Sequence, residues 1–92
     1  MINIDESINY WLTQNNFSKI SDNHYKNVNK STKFYGITIE FTNKLLKLSY
    51  TSQTGFQLSF EKKYNSFSAF IDIIDRFSSY VIEIRSLSDL GR

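Results

Sequence analysis

Residues 37–61 read ITIEFTNKLLKLSYTSQTGFQLSFE, and this stretch decides the fold because apolar and polar side chains alternate through it in three blocks. Alternation with a period of two is typical of strands that bury one face and leave the other in water. The apolar members of the three blocks are Ile37, Ile39 and Phe41, then Leu46, Leu48 and Tyr50, and finally Phe56, Leu58 and Phe60. We therefore predict three strands, each with one apolar face.

The link between the first two blocks sets their register. Asn43 and Lys44 stand between them, and a two-residue turn at this point pairs Phe41 with Leu46. All apolar residues of both strands then lie on one face of the sheet, whereas a slip of one residue would move one whole set to the opposite face. The sequence thus predicts a β-hairpin in this register.

The second link predicts a second hairpin. A three-residue loop over residues 53–55 ends at a glycine, which readily adopts the left-handed backbone that the last position of such a loop needs. This loop pairs Tyr50 with Leu58 and Leu48 with Phe60, and it keeps the apolar residues on the same face. The two hairpins together form a three-stranded antiparallel meander.

A helix is predicted before the meander. Asn3 is a suitable N-cap, and Glu6 three residues later completes a capping box. The apolar stripe of this helix consists of Ile4, Ile8, Trp11 and Leu12. We expect the helix to end near residue 15, with Phe17 and Ile20 packed under the loop that follows. Residues 21–33 are polar apart from Tyr25 and Val28, and they suit either a loop or a short edge strand.

A second helix is predicted after the meander, beginning at Asn65 or Ser66. Its stripe consists of Phe67, Phe70, Ile71, Ile74 and Phe77. Residues 80–85 have two interpretations, because Val81 and Ile84 continue the helical stripe while the β-branched run also suits a strand. We favour a helix that continues to about residue 86, followed by a frayed tail over residues 88–92.

These elements predict an α+β fold with the order α-β-β-β-α. The sheet has three antiparallel strands, with a fourth edge strand as the alternative, and both helices pack on its one apolar face. A chain of 92 residues has room for a single domain, here residues 1–92. It contains no cysteine, so its core holds together without disulfides, and aromatic residues make up 16% of the chain.

The sequence carries no recognisable catalytic or metal-binding motif. His24 is the only histidine, and without cysteines it lacks the partners of a zinc site. Asp72 and Asp75 follow the outer face of the predicted second helix, where carboxylates are usually solvated. The three glycines are isolated, so there is no phosphate-binding loop. We therefore expect no catalytic residues, no metal and no cofactor, and a protein that is not an enzyme.

The sequence has no recognisable targeting or membrane-spanning segment. The chain starts without a basic segment followed by an apolar one, and no run approaches the roughly 20 apolar residues of a membrane span. We expect a soluble, cytoplasmic protein that does not bind membranes.

The lysines raise the possibility of nucleic-acid binding. All eight lie within residues 17–63, where the net charge is +5, although the whole chain carries only +2. The α-β-β-β-α order matches the double-stranded-RNA-binding fold in outline. The basic cluster that opens the last helix of that family is absent, because Asn65, Ser66, Phe67 and Ser68 stand there instead.

A protein partner is the leading hypothesis, since tyrosines that the apolar stripes do not include are favoured at protein interfaces. The polar sheet face and an exposed edge strand are further docking surfaces. The candidate partner-binding residues are Tyr25, Lys26, Lys30, Lys33, Tyr35, Lys47, Lys62, Lys63 and Tyr64.

The chain resembles small phage and mobile-element proteins, in particular the anti-CRISPR-type inhibitors of low-GC Firmicute phages. The resemblance lies in its small size, its amino-acid composition rich in Asn, Ile, Lys and Ser, and its helix–meander–helix layout. The resemblance covers the layout of the whole chain and involves no motif. It implies a stoichiometric inhibitor that binds a host defence protein without catalysis. Several such inhibitors are acidic DNA mimics, whereas this chain is slightly basic, so the resemblance implies inhibition through another kind of surface.

Overall fold

The computed structural model describes residues 4–52 and 55–90, with side chains described as far as residue 86. It contains two helices and five strands. In chain order these are α1 (Ile4–Gln14), β1 (Phe17–Ser21), β2 (His24–Asn27), β3 (Ile37–Thr42), β4 (Leu45–Thr51), β5 (Gln57–Lys63) and α2 (Phe67–Leu90).

The five strands form one sheet in the order β1-β2-β3-β4-β5, and each strand is antiparallel to the next. The predicted α+β class and antiparallel sheet are confirmed, and the predicted count of three or four strands is only roughly matched by the five that form. Beyond the meander the sheet contains β1 and β2. β2 lies within residues 21–33, for which a loop or a short edge strand is predicted, whereas β1 lies almost wholly before that segment, where no strand is predicted. Their polar residues hide the strand period, because β1 buries only Phe17 and β2 is four residues long.

The predicted register of the central meander is confirmed. Phe41 pairs with Leu46, and Leu48 pairs with Phe60. Asn43 and Lys44 have φ angles of 51° and 63°, as a two-residue turn with two left-handed positions requires. The second predicted loop falls partly outside the described residues, since only Gly55 of its three positions is described.

The first helix ends as predicted, and Asn16 follows it in left-handed backbone with φ at 69°. The predicted N-cap, Asn3, lies outside the described residues. Phe17 is buried as expected, but Ile20 is 55% exposed and does not pack under a loop. Ile20 lies at an irregularity in the pairing of β1 with β2, between Lys19 and Ser21, and such a bulge re-aims the side chain.

The second helix begins immediately after Ser66, whose Oγ accepts a hydrogen bond from the backbone N–H of Ala69 at 3.1 Å. The alternative of a strand over residues 80–85 is wrong, because α2 continues without interruption to Leu90. Val81 is fully buried and Ile84 is half-buried, so the apolar stripe persists in the later turns. Helical backbone thus extends four residues beyond the predicted end, and the frayed tail stays a prediction.

The helices pack on the same side of the sheet, as predicted, with α1 against β1, α2 against β4 and β5, and the two helices against each other. One aromatic cluster lies beneath α2, where Phe70 meets Phe41 and Tyr64 edge-on at centroid distances of 5.7 and 5.2 Å. Another lies near α1 and joins Trp11 to Phe34 at 5.5 Å. Aromatic residues therefore build much of this disulfide-free core.

Two polar contacts attach the segment between β2 and β3 to the rest of the molecule. Asn27 is fully buried, and its side-chain amide donates to the carbonyl oxygen of Asn15 at 3.0 Å while its Oδ1 accepts from the backbone N–H of Asn29. Further along, Lys33 Nζ lies 3.1 Å from Asp75 Oδ1 on α2. The long connection is thereby held against both helices.

Candidate functional site

The predicted partner-binding residues do not form one surface. Tyr25 and Tyr64 are each only 4% exposed, so the interpretation of these two side chains as surface groups is wrong. Tyr25 lies parallel to Phe41 and its hydroxyl donates to Asn9 Oδ1. Each tyrosine buries a large ring, which the sequence pattern alone does not distinguish from an exposed one.

The three candidates between β2 and β3 differ from one another. Lys33 forms an ion pair with Asp75 and lies 5.2 Å from the ring centroid of Phe34. Tyr35 is half-buried, and Lys30 is exposed. Of this group, only Lys30 projects freely enough to suit a charged contact with a partner.

Three candidate lysines lie on the uncovered side of the sheet, here called the open face and formed by the outward side chains of β2 to β5. Lys47 lies between Glu40 of β3 and Glu61 of β5 in the strand pairing, and the other two lysines are Lys26 and Lys63. A depression of about 660 Å³ runs across this face. The open face therefore carries mixed charge, unlike the dense basic stripe typical of nucleic-acid-binding proteins.

The groups considered for catalysis are dispersed. His24 opens β2 and pairs with Glu40 on the open face, while Asp72 on α2 forms an ion pair with Arg76 at 3.1 Å. Within the described part of the chain, no three His, Cys, Asp or Glu side chains are placed to hold a metal ion. Among the residues that the structure describes, His24 and Asp72 thus lie in separate parts of the fold, one on the open face and the other on α2.

The remaining candidate, Lys62, borders an apolar groove between β5 and α2, here called the edge groove. Its volume is about 430 Å³. It is lined by the apolar side chains of Leu58, Phe60, Ile73, Phe77 and Tyr80, and by Ser59, Lys62, Asp72 and Arg76. Concave, mainly apolar surfaces with a few polar groups at the rim are typical of binding sites.

Two large side chains in the edge groove are unusually exposed. Phe60 is 46% exposed and Tyr80 is 61% exposed. The alternation of the sequence predicts that Phe60 faces the core side, and it does lie on that side opposite the buried Leu48. The sequence therefore identifies the face of Phe60 but not its exposure, and Tyr80 lies outside the apolar stripe of the second helix.

The backbone of β5 presents unpaired hydrogen-bonding groups beside this groove. The carbonyl oxygen of Phe56 accepts from Ser52, and the N–H of Tyr64 donates to Lys44, so the even-numbered residues of this strand bond to β4. In an antiparallel ladder, the alternate residues then direct their N–H and C=O groups away from β4. These outward groups belong to Gln57, Ser59, Glu61 and Lys63, and β5 is the last strand of the sheet.

The opposite edge of the sheet is protected in ways that β5 is not. β1 is five residues long, its pairing is irregular at Ile20, and Lys19 stands opposite the buried Tyr25. A short and bulged strand resists the addition of another strand. β5 instead pairs regularly over all of its seven residues. Of the two edges, β5 is the one suited to accept a further strand.

The buried Tyr64 makes the stability of this fold sensitive to alkaline pH. Burial, and secondarily the nearby negative charge of Asp5, raises the pKa of the Tyr64 phenol above its ordinary value of 10.0. Because the folded-state pKa is the higher one, this contribution to stability is present below pH 10 and is lost as the pH rises through the folded-state pKa. We expect the free energy of unfolding, measured by denaturant titration at a series of pH values above 10, to fall less with rising pH in Tyr64→Phe than in the wild type. Tyr10→Phe, which removes an exposed hydroxyl, is the control. Equal pH dependence of wild type and Tyr64→Phe would contradict this assignment.

Comparisons with protein-family models, with curated proteins and with solved structures found no match to this chain. None of the helices in the described ranges is both long enough and apolar enough to cross a membrane. The geometry of the edge groove and β5 is therefore the feature of this chain from which a function can be inferred.

Proposed function

We propose that this chain is a small non-enzymatic protein that acts by stoichiometric binding of a protein partner at β5 and the edge groove. The observation that carries the proposal is the combination of an unprotected strand edge with exposed aromatic side chains beside it. Strand addition would supply backbone hydrogen bonds, and the groove would receive alternate side chains of the added strand.

The groove supplies the selective part of this interaction. Phe60 and Tyr80 offer large rigid rings, and such residues contribute a disproportionate share of the energy at protein interfaces. Lys62 and the Asp72–Arg76 ion pair lie at the rim, where charges favour one partner over another more than they add affinity. A partner strand with alternating apolar residues would fit these features.

The resemblance in layout and composition to anti-CRISPR-type inhibitors supports a host defence protein as the class of partner to test first. An inhibitor of this kind needs a surface that excludes the normal ligand of its target, and it needs no catalytic group. The edge groove offers an apolar surface that could serve in this way, and its lining is not the strongly acidic surface of a DNA mimic.

The proposal is tested by affinity capture from nuclease-treated lysates of low-GC Firmicutes. The immobilised wild-type chain is expected to retain one protein in equimolar amount, and retention should change little with salt because the contact is mainly apolar. Phe60→Glu and Tyr80→Glu should each reduce capture by roughly 30-fold, the equivalent of about 2 kcal/mol for a central interface residue.

The matched control is Tyr10→Glu, because Tyr10 is 69% exposed on α1, away from the groove. It is expected to capture the partner as well as the wild type does. Recovery of no stoichiometric partner would contradict the proposed function, and equal loss in the control would show that the edge groove is not the binding surface.

The alternative function, nucleic-acid binding, is supported only by the lysines of the open face and the adjoining loop. Phosphate contacts make affinity fall steeply with salt, so this alternative predicts capture that requires nucleic acid and disappears at moderate salt. Lys26→Glu and Lys47→Glu would then reduce binding while Phe60→Glu would not. Such a result would replace the protein-binding proposal.

A further inference from the structure

We propose that in the free protein β5 pairs antiparallel with β5 of a second copy, so that the strand edge is covered by self-association until a partner displaces it. The inference goes beyond the proposed function, because it concerns the chain alone and assigns a second occupant to the same edge. It is motivated by the chemistry of β5 itself.

The charges of β5 are segregated along the strand. Glu61, Lys62 and Lys63 fill its C-terminal end, whereas residues 57–60 are uncharged. Antiparallel pairing of two copies places the charged half of each strand opposite the uncharged half of the other. Parallel pairing would place identical charges side by side, and like charges in adjacent cross-strand positions are destabilising. Antiparallel pairing therefore avoids placing like charges directly opposite each other, and parallel pairing does not.

A register centred on Phe60 uses the whole strand. It pairs Ser59 with Glu61 and Gln57 with Lys63 of the other copy, and these are the residues whose N–H and C=O groups point away from β4. Phe60 then meets its own counterpart across the two-fold axis at a non-hydrogen-bonded position, where side chains approach most closely. The exposed aromatic ring of each copy is covered by that of the other.

The position of α2 leaves the appropriate space for its counterpart. α2 packs over both β4 and β5, and adjacent strands are about 4.8 Å apart. A helix axis above the line between β4 and β5 would lie roughly 10 Å from its symmetry mate across a continuous sheet. Packed helices are typically about 8–10 Å apart, so this spacing leaves room for both copies of α2 on one side of the continuous sheet.

The first test is the mass of the purified chain in solution. Light scattering across a concentration series up to about 200 µM is suitable, because small interfaces bind in the micromolar range. The mass is expected to rise toward twice 10.8 kDa. A mass that stays at 10.8 kDa across the series would overturn the inference, yet it would leave the proposed partner binding intact, since that is measured with a different protein.

A proline variant tests whether the open side of β5 forms the contact. The N–H of Ser59 points away from β4, so Ser59→Pro should preserve the monomer fold, checked by circular dichroism, while removing a donor from the dimer. We expect it to remain at 10.8 kDa, with Ser59→Ala retaining the wild-type mass profile. A folded proline variant that dimerises as the wild type does would overturn the inference.

Two variants with a single cysteine each test the register, and they do so even if the proline variant does not fold. The chain contains no cysteine, so any disulfide of Phe60→Cys must join two copies. The register centred on residue 60 brings its two Cα atoms within about 4.5 Å, which suits a disulfide, and holds those of residue 62 roughly 13 Å apart, which does not. Mild oxidation should cross-link Phe60→Cys at least tenfold faster than Lys62→Cys, and equal rates would overturn the proposed pairing.

Discussion

Phe70→Ala is expected to lower the free energy of unfolding by about 3–5 kcal/mol, the usual cost of removing a fully buried phenylalanine ring. Phe70 is completely buried, and its ring joins α2 to the sheet through its edge-on contacts with Phe41 and Tyr64. A domain of this length has a total stability on the order of 5–14 kcal/mol. The variant is therefore expected to unfold at a markedly lower urea concentration and temperature than the wild type, as measured by urea titration and thermal denaturation.

Phe60→Ala is the matched control for this substitution. It removes the same ring from the same side of the sheet, but Phe60 is 46% exposed where Phe70 is fully buried. The buried half of the Phe60 ring contributes about 1–1.5 kcal/mol, so the urea midpoint should shift by only a fraction of the shift seen for Phe70→Ala. Equal losses in the two variants would show that the edge groove is closed in the folded protein.

Gly36→Ala is expected to cost about 2–5 kcal/mol, although it adds only one methyl group. Gly36 has φ at +85°, a conformation that costs an L-residue about 1–2 kcal/mol. A Cβ atom at this position would also lie 2.8 Å from Cε1 and 3.0 Å from Cδ1 of Tyr50, which is only 6% exposed. Displacing a packed ring typically adds about 1–3 kcal/mol.

Gly55→Ala separates the two contributions. Gly55 has φ at +90°, but a Cβ atom there would meet nothing within 4 Å. This variant should therefore lose only the backbone contribution of about 1–2 kcal/mol. The difference between the two urea midpoints then measures the contact with Tyr50, and a larger loss for Gly55→Ala than for Gly36→Ala would contradict the described packing.

The sequence was most informative where local chemistry and periodicity agreed. The turn residues Asn43 and Lys44 and the alternation on either side of them require the same register, so the central hairpin was predicted pair by pair. The helix preference of residues 80–85 was also predicted correctly, because Val81 and Ile84 extend a stripe that begins before them. Neither result needed information from distant parts of the chain.

Prediction was weakest for β1 and β2. These strands bury few side chains, so alternation does not distinguish them from a polar loop, and a neighbouring strand stabilises them instead. Backbone hydrogen bonds hold β2 between β1 and β3. The order of apolar and polar side chains along the sequence does not reveal such bonds. The same limitation applies to Tyr25 and Tyr64, whose burial depends on Phe41 and Phe70 packing against them.

The candidate site shows most clearly what the tertiary structure decided. Leu48 and Phe60 are directly paired and share one face of the sheet, as alternation requires, yet Leu48 is 2% exposed and Phe60 is 46% exposed. Periodicity assigns a side chain to a face of its strand, whereas burial depends on what covers that face. The sequence by itself determined the α+β class, the meander register and both helices. Only the tertiary structure decided that the sheet ends at β5 and leaves the edge groove open, because the position of α2 over the sheet results from contacts between segments that are far apart in the chain.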